Sequence, residues 1–94
     1  MIRGYRDKRT EAFSKGAFVR DFHGFAAQAC KRLEILEAAT SLEDLRALPG
    51  NRLEALRGKR AGQFSVRINQ QWRIYFKWPQ GANGPSDIEI VDYH

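Results

Sequence analysis

The most restrictive feature of this sequence is a pair of segments near residues 56–78 in which apolar and polar residues alternate. This alternation has the two-residue period of a β-strand with one buried face. The predicted buried positions are Phe64, Val66 and Ile68, then Trp72, Ile74, Phe76 and Trp78. The opposite positions are Gln63, Ser65 and Arg67, then Arg73, Tyr75 and Lys77. Asn69-Gln70-Gln71 between the segments is short enough for a hairpin loop. We therefore predict a β-hairpin with two arginines on its polar face.

Helical periodicity is confined to the first half of the chain. From Phe25 to Ala39, apolar residues recur at steps of three and four, which predicts an amphipathic helix. Cys30 lies in this apolar stripe, so we expect a buried thiol without chemistry. Shorter helices are predicted before and after this one. The first is capped by Asp7 or Thr10 and ends at Gly16. The second is capped by Thr40 or Ser41, with a Ser41-x-x-Asp44 capping box, and runs to about Leu48.

Further strands are predicted at both ends of the chain and before the hairpin. They are Met1–Tyr5, a short strand around Leu53 to Arg57, and Asp87–Tyr93 with Ile88 and Ile90 on one face. The order of strand, helices and strands predicts an α+β fold, with N-terminal helices packed on one face of an antiparallel sheet. The length of 94 residues predicts a single domain, residues 1–94.

Composition excludes several classes of protein. A single cysteine cannot form an internal disulfide or a Cys-based zinc site, which favours a reducing cytoplasm. No apolar run approaches the length of a membrane span, and the first residues lack the apolar centre of a signal peptide. His23, between Phe22 and Phe25, is interpreted as structural. We expect a cytoplasmic protein that needs no metal and no cofactor and does not contact a membrane.

The charge distribution points to an acidic partner. The net charge is +5, and the stretch from Arg52 to Arg73 holds six basic residues and one acid, Glu54. The stretch from Glu34 to Asp44 holds four acids and no base. Nucleic acid is the commonest partner of a basic domain. One exposed base is most often only solvated, but two arginines on one strand face favour contact with phosphate.

Four blocks of sequence resemble the HigB-type toxins of the RelE superfamily, also called plasmid maintenance killer proteins. The blocks are Asn51-Arg52-Leu53-Glu54-x-Leu56-x-Gly58, Arg60-x-Gly62-Gln63-x-Ser65-x-Arg67, Asn69-x-Gln71-Trp72-Arg73 and Val91-Asp92-Tyr93-His94. The resemblance covers nearly the whole chain, including the order of helices and sheet. The Arg67-x-x-x-Gln71-Trp72-Arg73 block and the Asp92-Tyr93-His94 ending are highly specific together, although either would be weak alone.

The resemblance implies a RelE-like microbial ribonuclease fold and a toxin of a type II toxin–antitoxin pair. Such a toxin would enter the ribosomal A site and cut messenger RNA there, with a ribose 2′-hydroxyl attacking the adjacent phosphate. It implies a HigA-type helix-turn-helix antitoxin as partner, with operator DNA bound through the antitoxin complex. We expect the antitoxin to contact the helical half, Phe18–Leu48, away from the active site.

The resemblance also assigns roles to particular residues. The implied catalytic residues are Arg67, Arg73, Tyr93 and His94, and the implied RNA- or phosphate-binding residues are Arg57, Lys59, Arg60, Asn69, Gln71 and Asp92. Some relatives have lysine in place of Arg57, and arginine is a poor proton donor because it stays protonated. Strict alternation places Tyr93 on the arginine face and His94 on the core face. The same alternation predicts that Arg73 points outward and is dispensable for packing.

Cleavage by an internal 2′-hydroxyl needs a base, stabilisation of the charged phosphorane and a proton for the leaving oxygen. Arg67 and Arg73 can supply the second, whereas the residues for the first and third stay open. A site this poor in acid and base depends on a substrate held in reactive geometry, which favours an enzyme that acts on the ribosome. The alternatives are a non-catalytic basic RNA- or ribosome-binding module and a protein that only binds a repressor-like partner.

Overall fold

A computed structural model describes residues 1–93 of the chain as helices followed by one antiparallel sheet. The helices are α1 (Lys8–Ser14), α2 (Ala26–Ala38) and α3 (Leu42–Arg46), with 3-10 turns at Arg20–Phe25, Pro49–Asn51 and Gly58–Arg60. The strands are β1 (Glu54–Ala55), β2 (Gln63–Arg67), β3 (Trp72–Lys77) and β4 (Ser86–Asp92), hydrogen-bonded in the order β1-β2-β3-β4. Each strand runs antiparallel to its neighbour, which confirms the predicted α+β class.

The central hairpin has the predicted pairing of faces. The pairs on the core face are Phe64 with Phe76 and Val66 with Ile74, and the pairs on the other face are Gln63 with Lys77, Ser65 with Tyr75 and Arg67 with Arg73. β4 continues both faces, because Ile90 lies opposite Ile74 while Val91 lies opposite Arg73. The sheet therefore has an apolar face under the helices and a polar face that carries the arginines.

The core lies between the helices and the apolar face of the sheet. Its fully buried members include Phe22, Leu36, Leu45, Ile74, Phe76 and Ile88. Burial of each such side chain contributes about 1.5–3 kcal/mol to folding. The 3-10 turn Arg20–Phe25, a region where the sequence shows no clear period, places Phe22 and Phe25 against the Trp72 ring, with centroids 5.8 and 4.9 Å away. This packing covers the start of β3.

α1 begins at the predicted cap and connects to the last strand. The Asp7 carboxylate accepts a hydrogen bond from the Thr10 amide, and the helix ends before Gly16, which has a positive φ of 99°. Thr10, the other candidate cap, has a different role. Its fully buried hydroxyl accepts the Ile90 amide at 3.1 Å, which joins α1 to β4.

α3 has the predicted capping residues but is shorter than expected. The Ser41 hydroxyl accepts the Asp44 amide at 3.3 Å, and the Asp44 carboxylate accepts the Thr40 amide and hydroxyl at 2.9 and 3.1 Å. The hydrogen bonds that the Asp44 carboxylate accepts, chiefly the one from the Thr40 amide, lower the pKa of Asp44. The helix ends at Arg46 instead of Leu48, because residues directly before a proline are disfavoured in helical conformation.

Three other predictions are corrected by the structure. The N-terminal segment is not a strand, since it joins the sheet through one bridge, between Tyr5 and Ile88. β1 has two residues, Glu54–Ala55, where a longer strand was expected. Cys30 is exposed instead of buried, because it lies one helical step beyond the buried Ala29, at the edge of the apolar stripe.

Within residues 1–93, every helix is too short or too polar to cross a lipid bilayer. The same residues contain no group of three or more His, Cys, Asp or Glu side chains placed to hold a metal ion.

Candidate functional site

A polar depression of about 390 Å³ lies at one end of the polar sheet face. It is lined by Arg52, Arg67, Asn69, Gln70, Arg73 and Tyr93. These residues come from three parts of the chain: the segment before β1, the β2–β3 hairpin, and the residue after β4. We call this depression the arginine site. Three arginines line it, and it contains no acidic lining residue among those that the structure describes.

Arg73 lies at the bottom of the arginine site and is 8% exposed. Its guanidinium donates to the Ser65 hydroxyl at 2.9 Å and to the Glu54 carboxylate at 2.9 Å, with a longer contact of 3.5 Å to the Arg52 carbonyl. The side chain is on the predicted face, but the prediction that it is exposed and dispensable for packing is wrong. It lies across β2 and is bound by residues near and on β1.

Arg67 lies directly opposite Arg73 in the β2–β3 ladder and is half-buried. Side chains at directly opposed positions have Cβ atoms about 4.5–5.5 Å apart, and like charges there repel. Glu54 offsets the charge of Arg73. A phosphate bound between the two arginines would offset both charges, so this pair is the strongest electrostatic indication of an anion site.

Tyr93 covers Arg73 from the β4 side. The Arg73 guanidinium carbon lies 4.8 Å from the centre of the Tyr93 ring, and the ring remains partly exposed. The Tyr93 amide donates to the Gln71 carbonyl, which continues the β3–β4 pairing by one residue. Tyr93 therefore lies on the arginine side, as the strand alternation predicts. His94 lies outside the described residues, and its role stays a prediction.

The hairpin turn holds two of the predicted phosphate-binding residues. The Asn69 side-chain oxygen accepts the amides of Gln71 and Trp72, both at 2.8 Å, so it shapes the turn as well as lining the arginine site. The Gln71 side chain donates to the Asp92 carboxylate at 3.2 Å. Gln71 and Asp92 are not lining residues of the depression; they connect the turn to the end of β4.

The predicted basic residues Arg57, Lys59 and Arg60 lie away from the arginine site. Arg60 contacts Gln63 and Glu89, both at 3.3 Å, and its guanidinium stacks 4.8 Å from the centre of the Tyr75 ring. Gln63 is four residues before Arg67 on β2, a separation of about 13 Å along a strand. The structure thus separates Arg60 from Arg67 and Arg73, and neither Arg57 nor Lys59 lines the arginine site.

Sequence reasoning missed Arg52, Gln70 and the role of Glu54. Arg52 adopts a left-handed conformation, with φ of 45° and ψ of 53°, at the end of a 3-10 turn. The preceding residue, Asn51, is fully buried. Its side-chain NH₂ group donates to the Leu45 carbonyl, and its side-chain oxygen accepts from Arg32. Such a turn leaves no periodic pattern of apolar residues in the sequence. The one available signal was Glu54, the single acid in a basic stretch.

Fold and site together define a class: an α+β protein with a helix-covered antiparallel sheet and an arginine-lined depression suited to phosphate. The chain belongs to the family described as the RelE-like toxin of the type II toxin–antitoxin system HigB, which it matches over residues 5–94. This finding confirms the family resemblance deduced from the sequence blocks.

Two relatives share about half of the chain. Toxin HigB-1 of Vibrio cholerae serotype O1 is 49% identical over 52 residues, covering 55% of each chain. An uncharacterised protein of Haemophilus influenzae is 35% identical over 48 residues, covering 51% of this chain and 48% of that protein. The chain thus spans about half the length of the curated relatives that it matches.

Proposed function

We propose that this protein is the toxin of a type II toxin–antitoxin pair and acts as a ribosome-dependent endoribonuclease on messenger RNA. The observation that supports this most strongly is the pairing of Arg67 with Arg73 across the hairpin, inside a depression covered by Tyr93. In this proposal, residues 1–94 act as one domain in the cytoplasm, where ribosomes are found.

The proposed reaction is an intramolecular transesterification, in which the phosphoryl group of the RNA is transferred from the 5′-oxygen to the neighbouring 2′-oxygen. The ribose 2′-oxygen forms a bond to the adjacent phosphorus and gives up its proton, and the bond from phosphorus to the 5′-oxygen breaks. The products are a 2′,3′-cyclic phosphate and a 5′-hydroxyl that has gained a proton. Arg67, Arg73 and Arg52 would stabilise the extra negative charge of the phosphorane. Tyr93 and His94 are the proposed groups for proton transfer, and histidine is the side-chain type that most often serves as an acid or base in catalysis.

Dependence on the ribosome follows from the chemistry of the lining residues. Three arginines and a tyrosine bind and polarise a phosphate well, but arginine does not exchange protons readily. Orientation of the reacting groups can replace a large part of the missing acid–base assistance. We therefore propose that the ribosomal A site supplies this orientation and that free RNA is a poor substrate.

The test compares one message in two states. Purified protein is incubated with a programmed ribosome or with the same RNA alone, and new 5′ ends are mapped. We expect cuts only on the ribosome, and Arg67→Ala should reduce them by about a hundredfold, the loss typical of a removed oxyanion contact. Efficient cutting of free RNA at sub-stoichiometric protein would contradict ribosome dependence. Ribosome binding without any cut would favour the non-catalytic RNA- or ribosome-binding alternative.

We also propose a HigA-type helix-turn-helix antitoxin that binds the helical half, Phe18–Leu48, with operator DNA bound through the complex. A mostly apolar depression of about 350 Å³ on this side supports the placement. Its lining includes Leu33 and Ala38 of α2 and the acids Glu34 and Glu37. Such a surface suits an apolar partner segment that carries basic residues.

Co-expression with the neighbouring open reading frame tests the partner. We expect Ala38→Glu to weaken a pull-down of the adjacent small protein, because Ala38 lines the apolar depression. The matched control is Ala61→Glu, an exposed alanine that lies outside both this depression and the segment Phe18–Leu48. If no adjacent protein binds or relieves toxicity, the antitoxin proposal is wrong. Equal loss in both variants would place the contact elsewhere.

A further inference from the structure

We propose that Glu54 is a positioning residue, which holds the Arg73 guanidinium in the orientation needed to contact the reacting phosphate. This inference rests on the proposed function for its catalytic consequence. The claim that Glu54 fixes the orientation of Arg73 concerns the free protein, and it can be tested without any cleavage assay.

The geometry shows that Arg73 is anchored far from its own backbone. Arg73 belongs to β3 and Glu54 to β1, with β2 between them. Neighbouring strands lie about 4.8 Å apart, so the side chain reaches over roughly two strand spacings. It passes over Ser65, the residue directly opposite Glu54 in the β1–β2 ladder, and the guanidinium contacts both. The position of the cation is therefore set by β1 as well as by β3.

Among the described contacts of this guanidinium, Glu54 supplies the negative charge. Ser65 is a neutral hydroxyl, the Arg52 contact is a carbonyl, and Tyr93 contributes a ring face. A cation that is 8% exposed is costly unless it is paired. An arginine side chain is also long and flexible, so one fixed orientation needs directional partners.

Glu54 itself is not needed for core packing. Its side chain is 49% exposed and lies on the polar face, so its carboxylate contributes mainly through Arg73. The guanidinium has five N–H donors in a rigid fork, which allows it to bind Glu54 and Ser65 and still donate to a phosphate. Glu54 is thus placed to fix one side of the fork while another faces the depression.

The first experiment measures the orientation of Arg73 by NMR in the free protein. In the wild type, we expect the resonance of the Arg73 Nη2–H group, which donates to Glu54, to be resolved from those of the solvated arginines and to exchange slowly with water. Glu54→Gln should move it toward their average and accelerate exchange. The matched control is Glu89→Gln. Glu89 lies on β4, in the same row of cross-strand neighbours as Glu54, but it pairs with Arg6 and Arg60. An unchanged Arg73 resonance in Glu54→Gln would overturn the proposal, whether or not the protein cuts RNA.

The second experiment measures single-turnover cleavage at saturating ribosomes. We expect Glu54→Gln to slow the cleavage step on the order of 10- to 100-fold, because small displacements of a catalytic group have effects of this size. Ribosome binding should change little, whereas the melting temperature should fall because the buried Arg73 loses its paired charge. The cleavage rate of Glu89→Gln should stay within about twofold of wild type. A faster Glu54→Gln variant would mean that Glu54 competes with phosphate, which would overturn the proposal.

A double-mutant cycle separates positioning from direct proton transfer. Glu54→Gln is repeated in an Arg73→Gln background, where both the guanidinium and its positive charge are absent. If Glu54 acts through Arg73, it should have little further effect there, since the two changes remove one interaction. A full additional loss would assign Glu54 a direct role as a base and contradict the positioning role. If wild-type protein does not cut RNA, the proposed function fails. The NMR result alone then decides whether Glu54 fixes the orientation of Arg73.

Discussion

At the scale of single residues, the arginine site depends on a cation that is bound inside the protein. Arg73 contacts a hydroxyl, a carboxylate and an aromatic ring, and is almost fully shielded from water. Arg67 lies opposite it and is more exposed. The two arginines therefore have different energetic roles: Arg73 contributes to folding as well as to the proposed phosphate contact, whereas Arg67 would contribute mainly to that contact.

The first prediction follows from the burial of Arg73. Arg73→Ala leaves the buried Ser65 hydroxyl without its donor and removes the partner of Glu54. Loss of one partner of a buried polar group costs about 1–3 kcal/mol. For a domain of this size, that corresponds to a melting temperature lower by roughly 4–20 °C. Arg73→Lys should lose less, because it keeps the charge, and an unchanged melting curve for Arg73→Ala would contradict the ion-pair network.

The second prediction concerns Arg67 and anions. A ligand that binds only the folded state raises its stability, by about 2.7 kcal/mol at 100 times Kd. We expect inorganic phosphate to raise the melting temperature of the wild type, and Arg67→Ala to lose most of this increase. Arg46→Ala on α3 removes the same charge away from the arginine site and should respond like the wild type. Equal phosphate responses in all three proteins would argue against an anion site.

The residues of the site could be predicted only in part. Alternation along the strands gives the face of Arg67 and Arg73, because side chains in a strand point to opposite faces in turn. It does not give burial, which here comes from Glu54 and Tyr93, residues distant from Arg73 in sequence. Arg52 was missed for a related reason: its position depends on a left-handed turn held by the buried Asn51.

At the scale of elements, the hairpin turn positions both arginines. The third prediction is that Asn69→Ala lowers the stability of the protein by about 1–2 kcal/mol, because two turn amides lose their acceptor. Asn69→Asp retains an acceptor oxygen and should stay closer to the wild type. Urea unfolding of the three proteins gives the comparison. If Asn69→Ala and Asn69→Asp were equally unstable, the side-chain oxygen would not be what shapes the turn.

The fourth prediction concerns the start of α3 and its dependence on pH. Hydrogen bonds from Thr40 and Ser41 lower the pKa of Asp44 below its ordinary value of 3.8. The ionised carboxylate therefore stabilises the fold above the ordinary pKa, and this contribution is lost as the pH falls through the lowered one. We expect Asp44→Ala to melt below the wild type near pH 6, with the gap narrowing toward pH 2. A gap independent of pH would show that the charge is unimportant.

Elements with a strong local signal were predicted well. α2 and the hairpin have clear periods over many residues, and both were found where the periods lie. The turn Arg20–Phe25 has no such period, since it is fixed by Phe22 and Phe25 packing on Trp72 from the sheet. β1 is short because its pairing with β2 is limited to Glu54 and Ala55. Long-range contacts decide such elements, and a single sequence does not reveal them.

At the scale of the whole molecule, the first helix and the sheet are joined close to the arginine site. Thr10 of α1 accepts the amide of Ile90 on β4, a bond between residues 80 positions apart. Val91, the next residue, lies opposite Arg73, and Tyr93 follows two positions later. The fold therefore uses its first helix to hold the strand that carries the aromatic cover of the site.

The last prediction tests this connection. Thr10→Val keeps the shape of the side chain but removes the hydroxyl, which leaves the buried Ile90 amide without an acceptor. We expect a loss of about 1–3 kcal/mol in unfolding free energy. Amide hydrogen exchange should become faster at Ile90 and at Tyr93, because the end of β4 opens more readily. Thr10→Ser keeps the acceptor, so it should retain slow exchange at Ile90 despite the lost methyl group. If the Ile90 amide of Thr10→Val exchanged at the wild-type rate, pairing with β3 alone would hold β4, and α1 would not control the position of Tyr93.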